Sequence, residues 1–265
     1  MIHQLAYNQP MEIVDSHCHI DVAAFDADRD DVLANCYCLG VTRLVVPAIA
    51  AAGWDKLLSV CRGNAGLYPA LGLHPVYLDQ HSQRDLDALE RRISNEPDVI
   101  AVGEIGLDFF LAELDRQRQL DLFEAQLEIA KNASLPVILH VRKAHAQVIE
   151  LLKKQCVKGG IVHAFNGSLE QAKEYMSLGF KLGFGGMLSY ERSRKLHRLA
   201  KALPLEAIVL ETDAPDMAGA GYAGQRNSPQ FLPEYLTALA KLKQESIEHV
   251  AEVTTRNAID VLGLN

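Results

Sequence analysis

The chain has 265 residues, 49% of them hydrophobic and 23% charged, with a net charge of −8. That is a folded-protein balance, with length for one large α/β barrel or two small domains. No apolar run reaches membrane-spanning length, and the opening MIHQLAYNQP has neither the basic nor the apolar part of a signal peptide, so a cytoplasmic protein with no membrane association is expected. The acidic balance repels phosphate, so a nucleic-acid substrate would need a local basic patch or bound cations to hold it.

Residues 1–10 carry no periodicity and read as an N-terminal tail, with 11–265 as a single domain. Eight short apolar runs follow in order: EIVDSH from Glu12 to His17, RLVVPAI from Arg43 to Ile49, LYPALGLHP from Leu67 to Pro75, and VIAVGEIGLD from Val99 to Asp108. Then come PVILHV from Pro136 to Val141, GIVHAF from Gly160 to Phe165, FKLGFGG from Phe180 to Gly186, and AIVLETD from Ala207 to Asp213. Val, Ile and Leu runs that do not alternate cleanly suit strands buried on both faces. Between them lie amphipathic stretches. DRDDVLANCYCLG ends at Gly40, as a helix C-terminus should. Helical spacing recurs around Leu86–Ile93, Arg116–Ala133, His145–Cys156 and Leu169–Leu178. It recurs again over Ser189–Leu203, which Pro204 terminates, and over Leu232–Lys243 and Ser246–Leu262. Five cysteines without regular spacing fit a reducing compartment. Cys36 and Cys38 read as helix packing. The one long loop, Ala214–Pro229, reads as functional.

Strand and helix alternating eight times predict an α/β protein of the (β/α)8 TIM-barrel class. A doubly wound sheet would want a Gly-rich turn after the first strand, where this chain has SHCHID.

In such a barrel, catalytic groups gather at the C-terminal strand ends. The runs end in His17 and His19, His74, Glu104, His140, His163 and Asp213. Five of the ten histidines end strands. Singly, each has a bland explanation: His74 as a hydrogen-bonded core histidine, Glu104 as an Arg partner, Asp213 as a turn starter. Together they suit a site for two divalent cations (Zn, Mn, Co or Mg), because four histidines and two carboxylates exceed the needs of one four-coordinate ion. The expected arrangement has His17, His19 and Asp213 on one ion and His140 and His163 on the other, with Glu104 bridging. A metal-activated hydroxide would be the nucleophile and Asp213 its general base.

The motifs DSHCHID, GLHP, GEIGLD, LHVRKA, HAFNG and LETDAP resemble, in order and spacing, the TatD-related family of metal-dependent hydrolases, within the amidohydrolase superfamily. The resemblance runs from Val14 to about Asn257. It implies a (β/α)8 barrel, a divalent-metal centre and phosphodiester hydrolysis, with DNA the usual substrate. The family's ligands fall on His17, His19, Glu104, His140, His163 and Asp213. Its GLHP histidine falls on His74, in contact with substrate phosphate, and Arg142 is a further candidate phosphate partner. Two departures stand out: Phe109 and Phe110 follow Asp108 where tyrosines are frequent, leaving rings that could stack a base, and position 143 is Lys where an acid is common.

Three functions compete: a deoxyribonuclease-like phosphodiesterase on DNA or a small phosphodiester, an amide or ester hydrolase on a small metabolite using the same two-metal site, and a non-catalytic metal-binding protein. The scaffold does not choose among them. No obligate protein partner is evident in the sequence.

Overall fold

The computed structural model describes residues 11–264; the expected tail at 1–10 lies outside them. Eight strands follow one another: β1 (Ile13–Asp15), β2 (Val41–Pro47), β3 (Leu67–Leu71), β4 (Ala101–Asp108), β5 (Val137–Arg142), β6 (Gly160–Val162), β7 (Phe180–Phe184) and β8 (Ile208–Leu210). All neighbours pair in parallel, in the order β1 to β8. The seam between first and last is joined by the Ser16 amide donating to Leu210 O at 2.9 Å and the Asp213 amide donating to His17 O at 2.8 Å. This is the expected (β/α)8 barrel.

The helices are α1 (Arg29–Cys38), α2 (Trp54–Gly63), α3 (Gln83–Asn95), α4 (Arg116–Asn132), α5 (His145–Gln155), α6 (Leu169–Ser177), α7 (Arg194–Ala202), α8 (Leu232–Lys243) and α9 (Ile247–Leu262). The sequence reading did not single out α2, although Trp54, Leu57, Leu58 and Cys61 form its buried stripe. The helix expected over Ser189–Leu203 divides. A 3-10 turn covers Gly186–Ser189, and α7 begins only at Arg194. Four residues between them are free to face the barrel mouth. Gly40 ends the first helical stretch at φ 84, and a Cβ there would lie 2.2 Å from Met11 O. Cys36 is buried and Cys38 exposed, both as free thiols.

Val14, Val45, Ala70, Ala101, Ile138, Ile161 and Val209 form one buried cluster with Ala258, Leu262 and Leu264. One side chain from each of seven strands fills the barrel, and the end of α9 plugs its lower opening. Simple alternation carries this inward row up to His140, His163, Glu211 and Asp213. It would turn Glu104 outward with Val102. The β4–β5 register shifts between Val102 and Ile105, and this irregularity re-aims Glu104 into the mouth. A second shift, between Ile13 and Val14 on β1, precedes the segment that turns His17 inward and Cys18 out to the helix layer.

The strands are shorter than the apolar runs suggest. His17, His74, His163 and Asp213 stand just past the last paired residue. Asp15 anchors the first of these segments: buried completely, it accepts from the Thr212 hydroxyl at 2.6 Å, the Thr212 amide at 2.9 Å and the His17 amide at 3.2 Å. One carboxyl thus ties β1 to the end of β8 beneath the site. Asp15→Ala should lower the unfolding free energy by about 3 kcal/mol, because it strands buried donors, and Asp15→Asn by about 1 kcal/mol. Urea unfolding curves check this; an alanine variant as stable as wild type would show that the seam is held elsewhere.

Candidate metal centre

Four donor atoms converge at the mouth. His17 Nε2 lies 3.3 Å from His19 Nε2, 3.1 Å from Glu104 Oε2 and 3.6 Å from Asp213 Oδ1. His19 Nε2 lies 3.7 Å from each of the same two oxygens. Ligands held at ~2.1 Å around a tetrahedral cation sit ~3.4 Å apart, so this spacing fits one ion. The other oxygen of Glu104, Oε1, faces His140 Nδ1 at 3.1 Å and His74 Nε2 at 3.3 Å. Glu104 therefore stands between two groups of donors, as a bridging carboxylate must. His163 Nε2 approaches the other oxygen of Asp213, Oδ2, at 3.5 Å, while its ring stacks on His17 with centroids 3.7 Å apart.

The second contacts of the rings decide which nitrogens keep a lone pair. His19 Nδ1 donates to the Pro47 carbonyl at 3.0 Å, which leaves Nε2 to ligate. His140 Nε2 donates to Asp108 Oδ2 at 3.0 Å, which leaves Nδ1. His163 Nδ1 lies 3.0 Å from Glu211 Oε1. That contact is off-angle for a hydrogen bond, yet the pair is close enough for charge to orient the ring. His17 Nδ1 is buried with no hydrogen-bond partner. His74 differs. Its Nδ1 accepts from the Val76 amide at 3.1 Å, so the neutral ring carries its proton on Nε2, and that N–H points into the site as a donor. His74 thus has the tautomer of a group that binds an oxygen anion. His140 and His163, expected to share one ion, approach different carboxylates: His140 groups with Glu104 and His74, and His163 with Glu211 and His17.

Electrostatics agree with a cation site. Burial acts to raise the Glu104 carboxyl, but His74 and His17 outweigh it and hold the group well below the ordinary carboxylate range. Asp213 is likewise opposed by burial and held at about 2 by His163, His17 and His19. Burial lowers His17 and His74. Against the same burial, Asp108 and Glu104 push His140 up to about 9, and Glu211 and Asp213 raise His163 well above its ordinary value. Without metal, protons neutralise these carboxylates; a cation would displace them.

The backbone sharpens the site. Lys143, Ala164 and Asp213, each just past a strand, have φ of 56, 43 and 58. Such left-handed residues are costly outside glycine and are kept where the surroundings over-determine them. For Asp213 the surrounding bond is the seam contact to His17 O.

The sequence reading missed Glu211. It is 2% exposed, accepts from the Ala164 amide at 2.6 Å, and fills space that β7 leaves empty: a Cβ on Gly183 would lie 2.1 Å from its Oε2. Two signals were available. Glu211 shares strand parity with Asp213 in LETD, and a glycine interrupts the neighbouring strand in FKLGFGG. Arg142 stands at the rim with its side chain 48% exposed, 4.0 Å from Asp108, and its guanidinium carbon lies 3.7 Å over the Phe110 ring.

An eight-stranded parallel barrel with clustered histidines and carboxylates at its C-terminal face defines a metal-dependent hydrolase of the (β/α)8 class. Residues 14–263 match the TatD related DNase family, and the chain belongs to it. It is 39% identical over 246 residues to the uncharacterized metal-dependent hydrolase YjjV of Escherichia coli K12, covering 92% of this chain and 95% of that protein. The crystal structure of that TatD homolog superposes with a TM-score of 0.94 at 36% identity, covering 97% of this chain and 100% of that one. A putative deoxyribonuclease of Danio rerio, tatdn3, is 34% identical over 257 residues, covering 93% of this chain and 95% of that protein. No helix among the described residues is long and apolar enough to cross a membrane.

Two outcomes follow. Gly183→Ala and Glu211→Gln should each weaken metal retention about 10–100-fold, the usual cost of losing a ligand-orienting contact; competition with a chelator measures it, and unchanged retention would remove Glu211 from the site. In metal-stripped protein, the raised His140 contributes stability that is complete below about pH 6.5 and lost as pH rises through about 9, and His163, raised well above its ordinary value, acts in the same direction. The melting midpoint should fall across that range while metal affinity rises, with protons released on loading. A midpoint independent of pH would contradict this.

Proposed function

We propose that the protein hydrolyses phosphodiester bonds, in DNA or a small phosphodiester, with two divalent cations chosen from Zn, Mn, Co and Mg. One observation carries the reading: a His- and carboxylate-lined cluster, where the Nε2–H of His74 faces Glu104 Oε1 at 3.3 Å, opens onto a rim where the exposed Arg142 guanidinium offers donors to an oxygen anion. The name of the Danio rerio relative supports the same substrate class.

His17, His19, Asp213 and Glu104 would hold one cation and His140, His163 and Glu104 the other, the His163 ring turning from Asp213 Oδ2, which it faces at 3.5 Å, to join His140. Cations held there would acidify a water and offset the charge that grows on the phosphoryl oxygens. The protein's own groups do the rest. Asp213, held as a carboxylate by the surrounding histidines, would take the proton of the attacking water. Arg142 presents two parallel N–H groups to the non-bridging oxygens, and His74 donates to the same phosphate. Phe110, 47% exposed, has one face under Arg142 and also meets Lys143, whose ammonium lies 4.6 Å from the ring centre. It holds these cations at the rim by cation–π attraction. Asp108 and Glu211 keep their histidine rings from rotating.

Metal analysis after gentle purification should give about two equivalents per chain. Glu104→Ala should lower turnover of a generic phosphodiester by roughly 10³-fold or more, since it removes the carboxylate shared by both donor groups. A panel of single- and double-stranded DNA beside small esters and amides reads the substrate class. Activity confined to esters and amides would overturn the phosphodiesterase reading in favour of the small-metabolite hydrolase.

A further inference from the structure

The cavity above the cluster has a volume of about 890 Å³, at the upper end of the ~300–1,000 Å³ usual for small-molecule sites. The proposed reaction uses only part of it. From Glu104, His140 and Asp213 it extends to Asn166, to Arg192 just before α7, and to Arg194 and Lys195 in the first turn of α7. The opposite wall is apolar, with Val22, Ile49, Val76 and Met217.

Three basic side chains stand at one end of this cavity in a chain of net charge −8. Elsewhere the arginines Arg29, Arg62, Arg92 and Arg226 are each held by carboxylates. Among the described residues, no carboxylate lies within ion-pair distance of Arg192, Arg194 or Lys195. Arg192 rests on the Tyr190 ring at 4.8 Å, and Lys195 donates to the Asn166 carbonyl. Tyr190 is itself tied through its hydroxyl to Ala218 O at 3.1 Å. Three uncompensated cations therefore stand along one end of a cavity whose other feature is a phosphoryl-transfer type of centre. An anion entering the cavity from solvent would meet all three.

We propose that Arg192, Arg194 and Lys195 form a second phosphate subsite, which takes the neighbouring phosphate of the same substrate molecule while the scissile one lies at the cluster. The ligand chemistry, a nucleotide chain with at least two phosphates, rests on the phosphodiesterase reading; the subsite itself makes no use of the metal. It makes the enzyme selective for substrates with a phosphate one nucleotide away from the bond being cut, over diesters that carry only one.

The test is equilibrium binding to full-length, metal-reloaded protein by calorimetry, with thymidine 3′,5′-bisphosphate, thymidine 5′-monophosphate and inorganic phosphate as ligands. The bisphosphate should bind about tenfold or more tightly than the monophosphate, the scale of one charge-assisted contact, and the ratio should shrink at high salt. Arg194→Ala and Lys195→Ala should each cut the ratio several-fold, and the triple alanine variant should bring it near unity. Arg198→Ala, on the same helix but outside the cavity, should preserve it. Equal affinity for the two nucleotides, or a preference untouched by these substitutions, overturns the subsite. So does inorganic phosphate binding that is sensitive to the substitutions without any bisphosphate preference, because the basic end would then serve a free anion. A bisphosphate preference in a protein that turns over no phosphodiester would sink the phosphodiesterase reading and leave the subsite standing.

Discussion

The carboxylate of Glu104 is the contact on which the rest of the site depends. It is 2% exposed and ionised, and one of its oxygens meets His17 and His19 while the other meets His140 and His74. A buried anion of this kind costs several kcal/mol unless positive charge surrounds it. In the metal-free protein that charge comes partly from protons on His140 and His163. The arrangement therefore holds two ionic states of the same pocket, one closed by protons and one open to cations, and acidity sets the balance between them.

Holding such charges in register requires a rigid floor, and the barrel supplies it. The filled interior row, plugged below by α9, leaves no room for the strands to slide. Asp15 locks the seam directly under His17 and Thr212, and the Asp213 amide is bound to His17 O. His17, His74, His163 and Asp213 stand just past the ends of short strands, where the backbone leaves regular pairing and adopts costly φ values at Lys143, Ala164 and Asp213. The strands give precision of position, and the residues beyond them give freedom of direction. The histidine rings are then fixed singly: His19 by a carbonyl, His140 by Asp108, His163 by Glu211, and His74 by an amide whose N–H reverses its tautomer.

The outer part of the mouth is built on a different principle. Its cations stand exposed at the end of β5, just before α7 and in the first turn of α7, and two lean on aromatic rings, Arg142 on Phe110 and Arg192 on Tyr190. An acidic protein thereby carries a group of basic side chains at one opening, where, on the phosphodiesterase reading, they would draw in an anionic substrate.

The order of the motifs, the eightfold alternation and the histidines at strand ends were legible in the sequence, because period and residue chemistry survive in one dimension. The same was true of the helix stops at Gly40 and Pro204. Four things needed the folded chain. Inward aim at Glu104 comes from a register shift, which alternation alone would have set the other way. Glu211 became visible only beside the glycine gap of β7, a contact between residues that are distant in the chain. His74 parts from the other histidines through a tautomer set by Val76, and Arg192, Arg194 and Lys195 reach the cavity because the chain leaves the expected helix before Arg194. Each is a matter of direction or cross-chain proximity, and a one-dimensional pattern records which residue is present but not where its side chain is turned.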